Sequence, residues 1–356
     1  MFVKPDKYVH DEIYDKCPRA IQYRTPQFNL LVGAFLKPYE EEYYHTQMSN
    51  IGLRMIAKGM NNYERADNIV SASREFDSPV YLLLDHSKFD SCVNEHYLKW
   101  THRQYVRTYR NRFLRHLLSK TIFNKGYSFT GVRYRVRGTR MSGDYDTALG
   151  NCLVNQLLLS SWLKEFKHHI LLDGDDSVVI LEKRDLQACM DNFVHFEKMG
   201  FDTKCEVVFE LSDVEFCRSR LLPLDPPRFA RDPVRVLSHW NVANTFVNTD
   251  TWVRYLAGVG CGELCLNAGV PILGPCARKL ANLHKKPLVL TSYRYAGNLS
   301  IGSEEITDEA RVLFQQVYGI SPVEQVTIES TFDPKRPKEV SDLVNHFCSL
   351  RTSYVE

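Results

Sequence analysis

Asp85 and Asp90 lie five residues apart in Leu84-Asp85-His86-Ser87-Lys88-Phe89-Asp90, and Asp173-Gly174-Asp175-Asp176 carries further carboxylates later in the chain. Carboxylates at strand ends and hairpin tips are the groups through which a sheet converges oxygen ligands on Mg²⁺. In a two-metal site such ligands serve an in-line phosphoryl displacement. Gly-Asp-Asp alone should occur by chance in roughly one chain in thirteen of this length, and an ordinary polar turn would account for it. A third segment, Ser142-Gly143-Asp144-Tyr145-Asp146-Thr147-Ala148-Leu149-Gly150-Asn151, is more specific. Its Ser-Gly turn leads into a helix that presents Thr147 and Asn151 four apart on one face. A plain N-cap with a polar helix start is the simpler explanation. The fixed spacing, however, should arise in well under about one chain in a hundred.

These groups need elements to position them. Val80–Leu84 is a short apolar run after Ser78-Pro79, which predicts a buried strand ending at Asp85. Ile170–Leu172 and Ser177–Leu181 are apolar runs with Asp173-Gly174 between them, a hairpin turn signal that puts Asp175 and Asp176 at the tip. Gly138–Asp146 reads as a loop, and Thr147–Phe166 as a helix with Leu149, Leu153 and Leu157 on one face. Residues 28–60 carry a helical pattern through Phe28, Leu31, Phe35, Ile51 and Met55. Asn94–Lys120 carries a basic one with Asn94 as cap. Tyr127–Arg137 alternates like a hairpin, Asp185–Met199 reads as helix, and Lys204–Leu211 and Val214–Leu222 read as strands. Residues 1–27 look irregular or extended. Pro223–Pro233 marks a boundary, followed by a mainly helical tail with a Gly/Cys-rich turn at Gly258–Gly262. The fold class expected is α+β, with a central sheet whose loops gather acids.

At 356 residues the chain is about two average domains, and 44% hydrophobic with 25% charged residues excludes disorder and fibres. No apolar run approaches the length of a membrane span, and MFVKPDKYVHDEI lacks a signal peptide's apolar core. The ten cysteines read as reduced thiols of a cytosolic protein. The net charge of +2 averages over an uneven chain. Residues 101–140 hold eleven Lys or Arg and no Asp or Glu, with Tyr105, Tyr109 and Tyr127 among them. That is the electrostatic footprint of a polyanion partner, nucleic acid being the best fit, against the plainer reading of a solvated basic face.

In this order, the three acidic and polar segments resemble the palm motifs A, B and C of viral RNA-dependent RNA polymerases, most closely the tombusvirus-like positive-strand group. Phe2-Val3-Lys4-Pro5-Asp6-Lys7 and Pro18-Arg19-Ala20-Ile21-Gln22-Tyr23-Arg24, continued by Phe28-Asn29 and Gly33, are similar to the basic finger motif. Gly200-Phe201-Asp202-Thr203-Lys204 resembles motif D, and Glu215-Phe216-Cys217-Arg218-Ser219 resembles motif E, with Arg218 where relatives often have Gln. The resemblance runs from Phe2 to about Leu222 and is only general beyond. The family usually has a longer region before the first basic motif, so the expectation is a fragment of a larger replicase.

The resemblance implies a right-hand polymerase. Residues 1–78 would be fingers, 79–90 palm, 91–140 a basic fingers insertion, 141–222 palm again with the Gly-Asp-Asp hairpin, and 223–356 a helical thumb. Asp85, Asp175 and Asp176 would hold two Mg²⁺, with Mn²⁺ as a substitute, and Asp90, Ser142, Thr147 and Asn151 would read the ribose 2′-OH. Lys16, Arg19 and Arg24 would hold the triphosphate, against a solvated basic loop as the bland alternative. Lys204 would protonate the leaving pyrophosphate, with Lys198 as its rival. Arg107, Arg110, Arg112, Arg133 and Arg135 would bind RNA. Partners would be the single-stranded template, nascent RNA, NTPs and viral or host replicase proteins. The setting would be host cytoplasm, at membrane-bound complexes through a partner or a segment outside this chain. His168-His169 reads as sheet-edge filler, and Cys261-x-x-x-Cys265 with Cys276 and His284 allows zinc, which is not the expected cofactor. The alternatives are a reverse transcriptase, a non-catalytic RNA-binding replicase component and a structural replicase subunit. Asp90 with Asn151, and Gly174 before the acidic pair, favour RNA synthesis.

Overall fold

The structure, a computed structural model, describes residues 1–4, 14, 17–240, 242–243, 248–288 and 305–335. The chain forms two compact units, one of residues 1–4, 16–58 and 68–210, the other of 5–15, 59–67 and 211–356. Helices and antiparallel sheets are mixed throughout, an α+β arrangement.

The first unit opens with β1 (Phe2–Val3) paired to β2 (Ala20–Ile21), two short strands within the segment expected to be irregular or extended. Thr25 starts α1 (Pro26–Thr46), its hydroxyl accepting from the Phe28 N–H, and Pro26 sits where its missing N–H costs nothing. The helical pattern read over 28–60 ends here. Ile51 and Met55 belong to an irregular stretch that lies along a sheet edge, where Ala57 N–H donates to Leu172 O and Leu172 N–H to Met55 O. Edge pairing, not a helical face, explains the burial of Ile56 and Ala57. Helix α2 (Asn62–Ser73) follows, then β3 (Pro79–His86) and the single turn α3 (Phe89–Cys92).

The basic stretch after Asn94 is two helices, α4 (Glu95–Tyr109) and α5 (Arg112–Ser119). Asn94 caps the first as expected, accepting from His96 and Tyr97 N–H. Arg110 takes φ 47° and ends it, and Asn111 caps the second. Strands β4 (Phe123–Tyr127) and β5 (Arg133–Arg137) form the next hairpin. Helix α6 (Thr147–Trp162) leads to β6 (His168–Asp173) and β7 (Asp176–Glu182). The segment 183–199 is not one helix but a 3₁₀ turn, α7 (Leu186–Asp191) and α8 (His195–Lys198). The break lets Phe193 and Phe196 both pack edge-on against Trp162, at 5.5 and 5.0 Å between centroids. Strand β8 (Thr203–Val208) completes a four-stranded antiparallel sheet of order β6-β7-β3-β8. Val80, Leu82, Val179 and Leu181 of the sheet join Leu153, Leu158 and Trp162 of α6 in one apolar cluster. Fully burying such a side chain stabilises by about 1.5–3 kcal/mol, so this face holds α6 firmly on the sheet.

In the second unit, β9 (Glu215–Phe216), β10 (Ser219–Leu222) and β11 (Arg228–Arg231) form an antiparallel sheet of order β11-β10-β9. Val214–Leu222, read as one strand, is a tight hairpin: Cys217 and Arg218 both take positive φ, 51° and 61°. Within Pro223–Pro233, read as a boundary, β11 pairs with β10, and the division into compact units falls after Glu210. Helices α9 (Pro233–Trp240), α10 (Thr249–Asn267), α11 (Leu273–Ala281), α12 (Asp308–Tyr318) and α13 (Pro322–Thr331) follow. The Gly258–Gly262 turn is the interior of α10. A Cβ on Gly260 would stand 2.3 Å from Ala281 N, so the glycine permits close packing of α10 on α11. Among the described residues, no helix is long and apolar enough to cross a membrane.

Candidate active site

The antiparallel order sets the C-terminal end of β3 beside the N-terminal ends of β7 and β8. Asp85, exposed, lies one residue past the last β3–β7 pair, Leu84↔Ser177, and is paired in register with the exposed Lys204 of β8. Asp173 pairs with Asp176, so the turn residues are Gly174 and Asp175, one position later than the turn signal suggested. Gly174 takes φ 74° at the first turn position, which suits a type II′ turn. Asp175 and Asp176 are exposed at the same sheet end, and Asp173 is held by Lys58 at 2.5 Å.

Asp90 enters from α3. Lys88 takes φ 52°, which turns the chain off β3 and into that helix. The Asn151 amide donates to Asp90 Oδ1 at 2.7 Å, so the structure brings this expected pair together. Burial raises the Asp90 carboxyl above the ordinary aspartate value, the Asn151 hydrogen bond and Arg140 offset this only in part, and the charge of Asp175 adds to it. Ser142 and Thr147 behave differently. The Ser142 hydroxyl lies 3.3 Å from Gln22 Oε1, and Thr147 Oγ1 donates to Met141 O and Asp144 O at 2.9 and 2.8 Å. Both tie down the loop before α6.

That loop is fastened from several sides. Gly143 N–H donates to Gln22 O at 2.7 Å, and the Asn29 amide donates to Gly143 O at 3.0 Å. Arg140 Nη1 lies 2.8 Å from Asp146 Oδ2, both side chains almost wholly buried. Burial would raise the Asp146 carboxyl, but the Arg140 guanidinium reverses this and holds it below the ordinary value. A Cβ on Gly33 would strike the Tyr145 ring at 2.6 Å, which explains that glycine in α1.

Of the triphosphate set, Lys16 lies outside the described residues, and Arg19 is exposed beside β2. Arg24 is engaged within the protein: Nε is 2.8 Å from Asp144 Oδ1, Nη2 donates to Asn124 Oδ1, and the guanidinium lies over the Phe28 ring at 5.3 Å. Burial pushes Asp144 up to about 6 in spite of that ion pair. Lys198 is exposed on α8.

The basic stretch splits. Arg107 and Arg110, with Arg103 and Arg115, line a groove of about 1020 Å³ above Val106 and Leu118. Arg112 is exposed on α5 and does not line it, while Arg133 and Arg135 line a separate depression of about 790 Å³ on the β4–β5 hairpin. Arg137, exposed, pairs with Glu95, and Arg140, buried, pairs with Asp146, so both have an ion-pair partner within the chain. Tyr105 is buried, whereas Tyr127 is exposed.

Sequence reasoning missed three buried residues. His86, next to Asp85, contacts Thr203 Oγ1 at 2.8 Å and Asn155 Oδ1 at 3.2 Å. The Asn155 amide donates to Gly174 O and Asp175 O at 3.0 and 3.3 Å, and Cys152 Sγ accepts from Gly174 N–H. The four-residue spacing of Asn155 from Asn151 was the available signal. His169, by contrast, is a satisfied structural histidine between Ser49 and Asn68.

Among the described residues no three His, Cys, Asp or Glu side chains converge into a metal cage, at this site or at the Cys261–Cys265 pair. The donors at the sheet end nevertheless fit Mg²⁺. Asp85 on β3, Asp175 in the β6–β7 turn and Asp176 on β7 are exposed acidic residues at one sheet end, and Mg²⁺ is commonly held by one or two carboxylates with water and substrate phosphates completing its shell.

A family model described as viral RNA dependent RNA polymerase matches residues 1–339. The chain is 31% identical over 350 residues to an RNA-directed RNA polymerase of Turnip crinkle virus, covering 93% of this chain and 45% of that protein. To the RNA-directed RNA polymerase of Groundnut rosette virus (strain MC1) it is 32% identical over 354 residues, with 93% and 41% covered. To that of Tobacco necrosis virus (strain D) it is 28% identical over 376 residues, with 98% and 51% covered. The chain belongs to the viral RNA-dependent RNA polymerase family. It spans about half the length of the curated relatives it matches.

Proposed function

We propose that this chain carries the catalytic centre of an RNA-directed RNA polymerase, adding NTPs to an RNA 3′ end on an RNA template and releasing pyrophosphate. The observation that supports it best is the sheet end where Asp85 and Asp175 stand exposed, with the Asp90–Asn151 pair bridging the neighbouring α3 and α6. Asp85 and Asp175 would hold Mg²⁺, with Asp176 in support, and the ions would neutralise developing charge on the triphosphate and the attacking hydroxyl. Asp90 and Asn151 orient the ribose through its 2′-OH, and Ser142 and Thr147 act behind them by holding the loop. Lys204 donates a proton to the leaving pyrophosphate; its register opposite Asp85 favours it over Lys198.

In this reading residues 79–90 and 141–222 are palm, 1–78 and 91–140 fingers, and 223–356 thumb. Arg19 reaches the triphosphate, and Arg24 positions the Asp144 loop that borders it. The groove of Arg103, Arg107, Arg110 and Arg115 takes single-stranded RNA, since none of the four has an ion-pair partner among the described residues. Replication would take place in host cytoplasm with other replicase proteins.

The test is incorporation of labelled NTPs on an RNA template with Mg²⁺, wild type beside Asp175→Ala. Template-dependent product from wild type alone supports the reading. RNA binding without synthesis by wild type would instead make the chain a non-catalytic replicase component. Preference for dNTPs would make it a reverse transcriptase.

A further inference from the structure

The turn that bears Asp175 is short, exposed at its tip, and contains a glycine, features that would leave a two-residue loop free to shift. Its backbone is instead held from below by side chains that no solvent reaches. Asn155 is fully buried, and its side-chain amide donates to both Gly174 O and Asp175 O. That fixes the orientation of the amide and leaves its oxygen as an acceptor only. The oxygen meets His86 Nε2, which must therefore carry the proton, so Nδ1 is an acceptor and takes the Thr203 hydroxyl hydrogen. The donors run in one direction, from Thr203 through His86 and Asn155 to the two turn carbonyls. Cys152, three residues before Asn155 on α6, receives the Gly174 N–H at 3.3 Å and closes the hold on the turn.

The imidazole sits among Phe89, Phe196 and Phe201, with centroids at 5.2, 5.7 and 5.9 Å. An apolar ring would pack there as well, without the cost of burying polar atoms. What the polar chain adds is direction. It connects the residue after Asp85, the residue before Lys204 and the backbone of Asp175, adding a side-chain link to the backbone ladder that pairs β3 with β7 and β8.

We propose that His86 and Asn155 are positioning residues that set the Asp175 turn relative to Asp85 and Lys204. The inference rests on the catalytic reading of those three residues given above. Neither His86 nor Asn155 touches the reacting atoms; they act through the backbone of the turn.

The variants are His86→Phe, which fills the ring volume without hydrogen bonds, His86→Gln, which keeps one donor and one acceptor, and Asn155→Leu. Two readouts are taken below the melting temperature of each: single-nucleotide extension, and hydrogen exchange at Gly174–Asp176. His86→Phe and Asn155→Leu are expected to lower kcat about tenfold or more with the NTP KM within about twofold, since small misplacement of a reacting group is costly. The turn amides should exchange faster in both. His86→Gln should recover most of the kcat and the protection. Unchanged kcat and exchange in His86→Phe and Asn155→Leu, or a His86→Gln that behaves as His86→Phe does, would overturn the proposal. If wild type makes no product, the catalytic reading fails, and the exchange data still decide whether these residues hold the turn.

Discussion

Asn151 donates its side-chain amide to Asp90 across 2.7 Å, joining the first turns of α6 to the single turn of α3 that follows β3. The amide is buried and its oxygen has no hydrogen-bond partner among the described residues. In the reading proposed above, the pair meets the ribose 2′-OH, and a dNTP leaves a buried polar group without that partner. Asn151→Ala should therefore narrow the preference for NTP over dNTP by about 5- to 150-fold, the effect of about 1–3 kcal/mol for one unsatisfied buried group. Use of NTP should fall as well. Asp90→Ala should act in the same direction, and the double variant should be less than additive because the two side chains form one unit. Matched NTP and dNTP extension, compared as kcat/KM, checks this; equal slowing on both sugars would show that the pair only shapes the site.

Asp85→Ala and Asp175→Ala should each abolish synthesis while template affinity stays within a few-fold. In the reading proposed above, the carboxylates would hold the ions that stabilise charge in the transition state, whereas RNA would be held by arginines elsewhere. Incorporation assays run beside filter binding separate the two effects. Substantial product from both variants would remove these residues from metal binding.

The basic groove makes a salt-dependence prediction. Neutralising Arg107 and Arg110 together should weaken RNA binding and reduce the slope of log K against log salt by about two, one for each phosphate no longer neutralised by an arginine. Arg112→Ala should change the slope less, because Arg112 stands outside the groove. An unaltered slope in the double variant would show that the groove does not meet RNA.

Two glycines are required by close approach. A Cβ at Gly143 would stand 2.5 Å from the backbone oxygen of Gln22, and one at Gly150 would stand 2.3 Å from the Arg140 guanidinium. Arg140 cannot yield without leaving Asp146 buried and unpaired. Either Gly→Ala change should cost about 1–3 kcal/mol and lower the melting temperature by several degrees. Wild-type melting in either variant would mean the loop has room to absorb the extra methyl group.

Acid should destabilise the first unit between about pH 6.5 and 4. Burial holds His102 and His169 down to about 4, so in that window the unfolded chain binds protons that the folded chain does not, and stability falls as pH drops. Asp144, raised by burial to about 6, works the other way: its contribution is present at low pH and is lost as pH rises through 6. Two histidine shifts outweigh one aspartate shift of similar size. Thermal melts from pH 7 to 4 should show a net loss, flattened by His102→Gln or His169→Gln and steepened by Asp144→Asn. A melting temperature independent of pH over this range would contradict the burial of both rings.

Much of the sheet was legible because its signals are local. Val80–Leu84 and the two runs around Gly174 are short apolar segments with turn residues at their ends, and they form β3, β6 and β7. The errors have long-range causes. Ile56 is buried by pairing with Leu172, a contact invisible to a helical pattern in residues 28–60. Cys217 and Arg218 adopt positive φ without glycine or asparagine to announce a turn. Gly260 sits mid-helix because Ala281 comes close, not because the chain bends. At the site, Asp90 and Asn151 could be brought together only through the resemblance of their segments to motifs A and B. The His86–Asn155 contact could not, since a histidine on an apolar strand and an asparagine in an apolar helix each look like isolated satisfied polars.

Helix α6 carries Asn151 on Asp90 and, one turn later, Asn155 on the backbone of Gly174 and Asp175. In the reading proposed above, sugar choice and the geometry of the acidic turn are thus set by the same rigid rod. Any change that slides or rotates α6, even from its apolar side against Val179 or Leu181, shifts both together. Variants selected for altered nucleotide discrimination should accordingly arise at apolar α6 positions as well as at the polar ones, and they should carry a speed penalty as an inherited companion trait.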